Sequence, residues 1–128
     1  GLNSGASSIQ NCLNAGSIET TNENQYFLGG LLGNAEKANV ISNSLSIKTG
    51  SENVQALAGL EKDSTAISSN VTITNSYYLS GLLSAAGIAK TEEELKDDNM
   101  VTALGNGWII DASIYEYPLP DGIRYQAE

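Results

Sequence analysis

The sequence predicts an all-β fold, a right-handed β-solenoid whose stacked coils end in a helix-plus-strand cap. Three observations carry this expectation. A short segment recurs at a constant interval, its copies alternate apolar and polar residues, and the recurrence stops after Gly81. Residues 1–82 are therefore expected to form the repeats and 83–128 the capping segment, as one structural unit. A β-sandwich of hairpins is the alternative architecture.

The repeat is built from two units. In the first, Ile9-Gln10-Asn11-Cys12-Leu13 recurs as Ile41-Ser42-Asn43-Ser44-Leu45 and as Ile73-Thr74-Asn75-Ser76-Tyr77, at an interval of 32 residues each time. In the second, Leu28-Gly29-Gly30-Leu31 recurs as Leu57-Ala58-Gly59-Leu60, at an interval of 29. Ile41, Leu45 and Ile47 share one parity while Ser42, Ser44, Ser46 and Lys48 share the other, the period of a half-buried strand. Stacking would then align Ile9, Ile41 and Ile73 in one interior row and Leu31 and Leu60 in another. Asn11, Asn43 and Asn75 would form a ladder of amides at a bend. The paired glycines of the second unit break the alternation and mark a bend or bulge where backbones approach closely.

The tail has a different texture. Thr91, followed three residues later by Glu94, forms a capping box at the head of a helix over about residues 92–104. Leu95, Met100, Val101 and Leu104 supply its apolar stripe, and Gly105 ends it. Trp108-Ile109-Ile110 begins a strand over 108–111, and Tyr117-Pro118-Leu119-Pro120-Asp121-Gly122 reads as a turn. An open last coil would expose core and strand edge, so the tail is expected to cap it.

Composition narrows the function. With 41% hydrophobic and 16% charged residues among 128, the chain has enough apolar surface for a folded core. Six Lys and Arg against fifteen Asp and Glu give a net charge of −9, which argues against nucleic acid or an anionic membrane surface as partner. No apolar run is long enough to span a membrane. The chain starts at Gly1 rather than Met, inside a repeat, and is expected to be an excerpt of a longer protein with neighbouring domains.

The absence of histidine removes Ser-His-Asp and Cys-His catalysis and the HExxH zinc site. One cysteine, Cys12, supports neither an internal disulfide nor a structural zinc. Its register partners are Ser44 and Ser76, so it reads as a small side chain of the repeat, facing out if alternation is strict and inward if the chain bends at Asn11. The acids Glu92, Glu93, Glu94, Asp97 and Asp98 are consecutive on a helix and read as a solvated face rather than a glycosidase pair. Asp121-Gly122 lacks the spacing of a calcium loop. Asn70-Val71-Thr72 matches a glycosylation acceptor formally. No catalytic, metal or cofactor residues are expected, and no cofactor. The candidates for ligand contact are Trp108, Tyr115 and Tyr117, with Tyr125 nearby, since exposed aromatics stack on sugars or proteins. The competing reading puts Trp108 inside, sealing the last coil.

The segment "YFLGGLLGNAEKANVISNSLSIKTG" resembles the GLUG repeat of bacterial surface proteins, through Gly29, Gly30, Leu31, Gly33, Ile41, Asn43, Ser44 and Gly50. "IQNCLNAGSI" resembles the second half of the same motif, and "NSYYLSG", "KTEEELKDDNMVTALGNGW" and "YPLP" resemble the segment that closes such arrays. Ala58, Glu61 and Lys62 depart from the pattern in the second copy. The resemblance implies an extracellular, cell-surface location and a non-catalytic role as spacer or adhesion scaffold. It also implies host glycan or extracellular protein as partner, and no catalytic residues to transfer. A carbohydrate- or protein-binding module is the alternative.

Overall fold

The computed structural model describes residues 2–3, 5–19, 26–51 and 53–121, with only the backbone given at 2 and 3. Gly122, Tyr125 and the end of the expected 117–122 turn lie outside the described residues. The elements are β1 (Leu2–Asn3), β2 (Ser7–Gln10), β3 (Leu13–Asn14), β4 (Asn34–Ala35), β5 (Asn39–Ser42), β6 (Leu45–Ser46), β7 (Val71–Thr74), β8 (Tyr77–Leu79) and β9 (Ile88–Lys90). After them come α1 (Glu92–Leu95), α2 (Asp98–Leu104), β10 (Trp108–Ile109) and β11 (Leu119–Pro120).

The three copies of the first unit pair side by side in parallel. In the sheet β2-β5-β7, Ile9 pairs with Ile41 and Ile41 with Ile73. In the sheet β3-β6-β8-β9, Leu13 pairs with Leu45, Leu45 with Tyr77 and Tyr77 with Ile88. Between the two sheets each copy passes through its asparagine, and Asn11, Asn43 and Asn75 have φ of 55°, 49° and 45°. Asparagine is among the few residues that occupy this left-handed region at low cost.

That left-handed residue changes which side is inside. Ile41 points into one apolar cluster, with Leu32, Ala35 and Ala58. Leu45, of the same parity but beyond the bend, points into a different cluster with Leu95, Met100, Leu104, Trp108 and Tyr117. Ser44 and Ser46, expected to face outward by alternation, are both 0% exposed. Their hydroxyls are satisfied within the repeat. Ser44 Oγ donates to Ser42 O at 2.8 Å and accepts from Cys12 N at 3.2 Å, while Ser76 Oγ donates to Thr74 O and accepts from Ser44 N. Cys12 Sγ makes the same local bond, to Gln10 O at 3.3 Å.

The second unit does not form the expected row of Leu31 on Leu60. Gly29 pairs with Gln55 and Leu32 with Ala58, an interval of 26, whereas Tyr26 pairs with Leu60. These are isolated bridges rather than a ladder. Leu31 N and Leu32 N both donate to Leu57 O, and Gly59 N donates to Leu32 O. Glycine sets this arrangement: a Cβ on Gly29 would run into the Leu32 carbonyl oxygen and the backbone of Ala58 and Gly59. The backbones interlock as loops, and the 29-residue similarity of sequence is not the spatial register.

The all-β solenoid is accordingly corrected, as is the sandwich alternative. The described residues form a mixed structure of four small sheets, three of them parallel, together with two helices. No strand among the described residues exceeds four residues. A sandwich of hairpins would be antiparallel, but β10-β11 is the one antiparallel strand pair among the described residues. The physical reason lies in where the large side chains go. The cluster holding Trp108, two tyrosines and four leucine or methionine side chains sits outside the repeat, between β6-β8 and the tail. The tail is therefore part of the main core rather than a plug on the end of a stack.

The expected helix over 92–104 is two helices. Asp97, at φ −79° and ψ 142°, leaves the helical region and its carboxylate accepts from Asn99 N at 2.9 Å, capping α2 and breaking the path from α1. Short acidic side chains compete with the helix in this way. The Thr91–Glu94 capping box is present as expected, and Gly105 at φ 110° ends α2. The expected 108–111 strand is only Trp108–Ile109, paired with Leu119–Pro120 in what was expected to be a turn.

The end of α2 and the segment after it cross all three copies at the asparagine row. Asn75 Nδ2 donates to Ala103 O at 2.7 Å, Trp108 Nε1 donates to Asn43 O at 2.8 Å, and Gly107 lies against the Asn11 amide. Residues 103–108 thus strap the side of the repeat. At the end of the stack it is β9, pairing with β8, that supplies the last strand.

Candidate functional site

A cleft of ≈ 210 Å³ opens between β9, α1 and α2, lined by Lys90, Glu94, Asp97, Asn99, Met100 and Ala103. β9 delivers Lys90 as its last residue, and the capping box turns the chain so that Glu94 faces back across the opening. Met100 and Ala103, one helical turn apart on α2, form the apolar floor. Lys90 Nζ stands 5.7 Å above the Tyr77 ring, a distance at which the ring face attracts a cation. Tyr77 Oη donates to Asn75 Oδ1 at 2.6 Å, and Asn75 Nδ2 donates to Asn43 Oδ1 at 2.7 Å. A polar chain therefore runs from the cleft to the asparagine row.

The acids at this cleft are already engaged. Glu94 Oε1 accepts from Thr91 N at 3.0 Å, and that bond, followed by the bond with the Thr91 side chain, holds the Glu94 carboxyl below its ordinary range. Asp97 spends one oxygen on Asn99 N. The cleft thus offers a lysine, two carboxyl side chains and an amide around an apolar floor, a set suited to a small polar molecule. It contains no nucleophile paired with a base, and among the described residues no group of three His, Cys, Asp or Glu side chains gathers to hold a metal.

The aromatic candidates are placed differently from one another. Trp108 is 3% exposed and Tyr117 8%, both in the tail's core, which takes them out of reach of a stacking ligand. Tyr115 is half-buried, its ring 5.9 Å from that of Tyr117 at 60°. Lys96 covers Tyr117 at 5.2 Å and bridges Glu92 at 2.7 Å and Glu116 at 3.8 Å. Burial raises the phenol pKa of both tyrosines, with the neighbouring carboxylates adding to it. Tyr125 is outside the described residues. Of the acidic run, Glu94 and Asp97 reach the cleft, while Glu92 pairs with Lys96.

Sequence reasoning missed the cleft because it needs the break at Asp97 and the approach of β9. The available signal was Asp97-Asp98-Asn99, a cap sequence inside the expected helix. Among the described residues no helix is long and apolar enough to cross a membrane. No family model, curated protein or solved structure matches the chain.

Proposed function

We propose that this chain is a non-catalytic repeat module of a bacterial surface or secreted protein, acting as a spacer or adhesion scaffold. The observation that supports it best is the row Cys12, Ser44 and Ser76. The Ser44 and Ser76 hydroxyls accept the backbone N–H of Cys12 and Ser44 in the preceding copy, and Cys12 Sγ is spent on Gln10 O of its own copy, so these small polar side chains are used to hold the repeat together. The bacterial and extracellular parts of the reading rest on the resemblance of the repeat and its closing segment. A second reading, a carbohydrate- or protein-binding module, is favoured by the Lys90 cleft rather than by Trp108 and Tyr117. The test is an array of glycans and extracellular-matrix proteins probed with the whole chain. The spacer reading expects no saturable binding. Binding that is lost in Lys90→Ala or Tyr115→Ala, with melting unchanged, would replace it by the second reading.

A further inference from the structure

Asn106-Gly107 is the only Asn-Gly pair in the sequence, and it occupies the turn that straps the three repeats together. Asn106 is exposed. Among the described residues its side chain makes no hydrogen bond, and neither does the Gly107 backbone N–H. The turn is closed by a long bond, Trp108 N to Gly105 O at 3.3 Å. We propose that this pair is a self-modification site, at which Asn106 converts through a succinimide to a β-linked aspartate and loosens the strap.

The step needs only water. The Gly107 nitrogen gives its proton to solvent base and attacks Cγ of Asn106, forming a C–N bond as the Cγ–Nδ2 bond breaks and ammonia leaves. One water then opens the ring. Attack at the α-carbonyl gives the β-linked product, and attack at the γ-carbonyl gives ordinary aspartate. No oxidation or reduction occurs. Asparagine is a thermolabile residue, and glycine after it leaves the attacking nitrogen unobstructed.

At four other asparagines the following nitrogen is already bonded. The nitrogen following Asn11 donates to Ser44 Oγ at 3.2 Å and that following Asn43 donates to Ser76 Oγ at 3.3 Å. The nitrogens following Asn70 and Asn99 donate to Ser68 O and Asp97 O. At Gly107 the consequence would be structural. Gly107 O accepts from Asp121 N at 2.8 Å, its α-carbon faces the Asn11 amide, and the next residue is the buried Trp108. An extra main-chain carbon and a new carboxylate at this point shift the segment that holds Trp108 against Asn43 O.

The whole chain, aged at mildly alkaline pH, is followed by peptide mass mapping with fragmentation that distinguishes the two linkages. A gain of one mass unit is expected first at Asn106, several-fold ahead of every other asparagine, with the β-linked form in excess. Raising the pH should speed it, and Asn106→Gln should abolish it. The aged chain should melt at a lower temperature than the fresh one, while Asn106→Asp, which adds the charge without the extra carbon, melts close to the unaged protein. Modification appearing first at another asparagine, or an aged chain that melts like the fresh one, overturns the proposal.

Discussion

The interior of the repeat and the flank under the tail are stabilised in opposite ways. Inside, around Ile41, the neighbours are Leu32, Ala35 and Ala58, with glycines allowing backbone to meet backbone. On the flank, Leu45 and Tyr77 meet Leu95, Met100, Leu104, Trp108 and Tyr117. The first region depends on small residues and main-chain hydrogen bonds, the second on area removed from water. Changes that remove volume should therefore hurt the flank most, and changes that add volume should hurt the interior most.

The largest effect is expected at the flank. Trp108→Ala should cost about 3–5 kcal/mol, because it empties a buried site and also orphans the Asn43 carbonyl. Urea unfolding followed by far-ultraviolet dichroism measures it, since the variant lacks the one tryptophan. A loss well below 2 kcal/mol would mean that the tail contributes little to the core. Next comes added volume inside: Gly29→Ala should cost about 1–3 kcal/mol or more, as its Cβ meets backbone that cannot step aside. The same change at Gly16, where a Cβ would meet nothing, should be nearly silent.

The bend between the regions gives a smaller and more diagnostic pair. Asn43→Ala loses the bond from Asn75 and places alanine at φ 49°. Asn43→Gly loses only the bond. The alanine variant should be less stable than the glycine variant by about 1–2 kcal/mol, the cost of the left-handed conformation. Equal melting of the two would show that the bend is not what positions Ile41 and Leu45 in different clusters.

At the tail's first helix, Thr91→Ala should cost about 1 kcal/mol through the lost cap. Glu94 adds a pH dependence of known sign. Its folded pKa lies below the ordinary carboxylate value, so its contribution is present above that value and fades as pH falls through the lowered one. Glu94→Gln should flatten the acid limb of a stability-versus-pH curve relative to the parent. The smallest effect belongs to Cys12→Ser. Ser44 and Ser76 already make its hydrogen bonds, so stability should change by no more than about 0.5 kcal/mol.

Legibility in the sequence followed the range of the interaction. The 32-residue interval gave the true register at Ile9, Ile41 and Ile73, because similar segments paired in parallel place like residues side by side. The capping box and the stop at Gly105 were legible because each is completed within a few residues. Leu31 on Leu60 was not the register, since glycine similarity records a need for close approach and not a partner. Ser44 and Ser46 were placed on the wrong side because alternation holds only while the strand is unbroken, and Asn43 breaks it. The candidates Trp108 and Tyr117 illustrate the same limit, as nothing local to an aromatic residue says whether another element will cover it.

The sequence by itself determined the repeat interval, the bends at its asparagines and the Thr91–Glu94 capping box and glycine stop of the tail, all of which are fixed by backbone sterics and near neighbours. Only the tertiary structure decided that the tail lies along the flank, that it carries the largest apolar cluster, and that the chain is a mixed fold rather than an all-β stack. Those choices turn on where the most apolar area can be buried at once, and that is a property of surfaces which exist only after the repeats have paired.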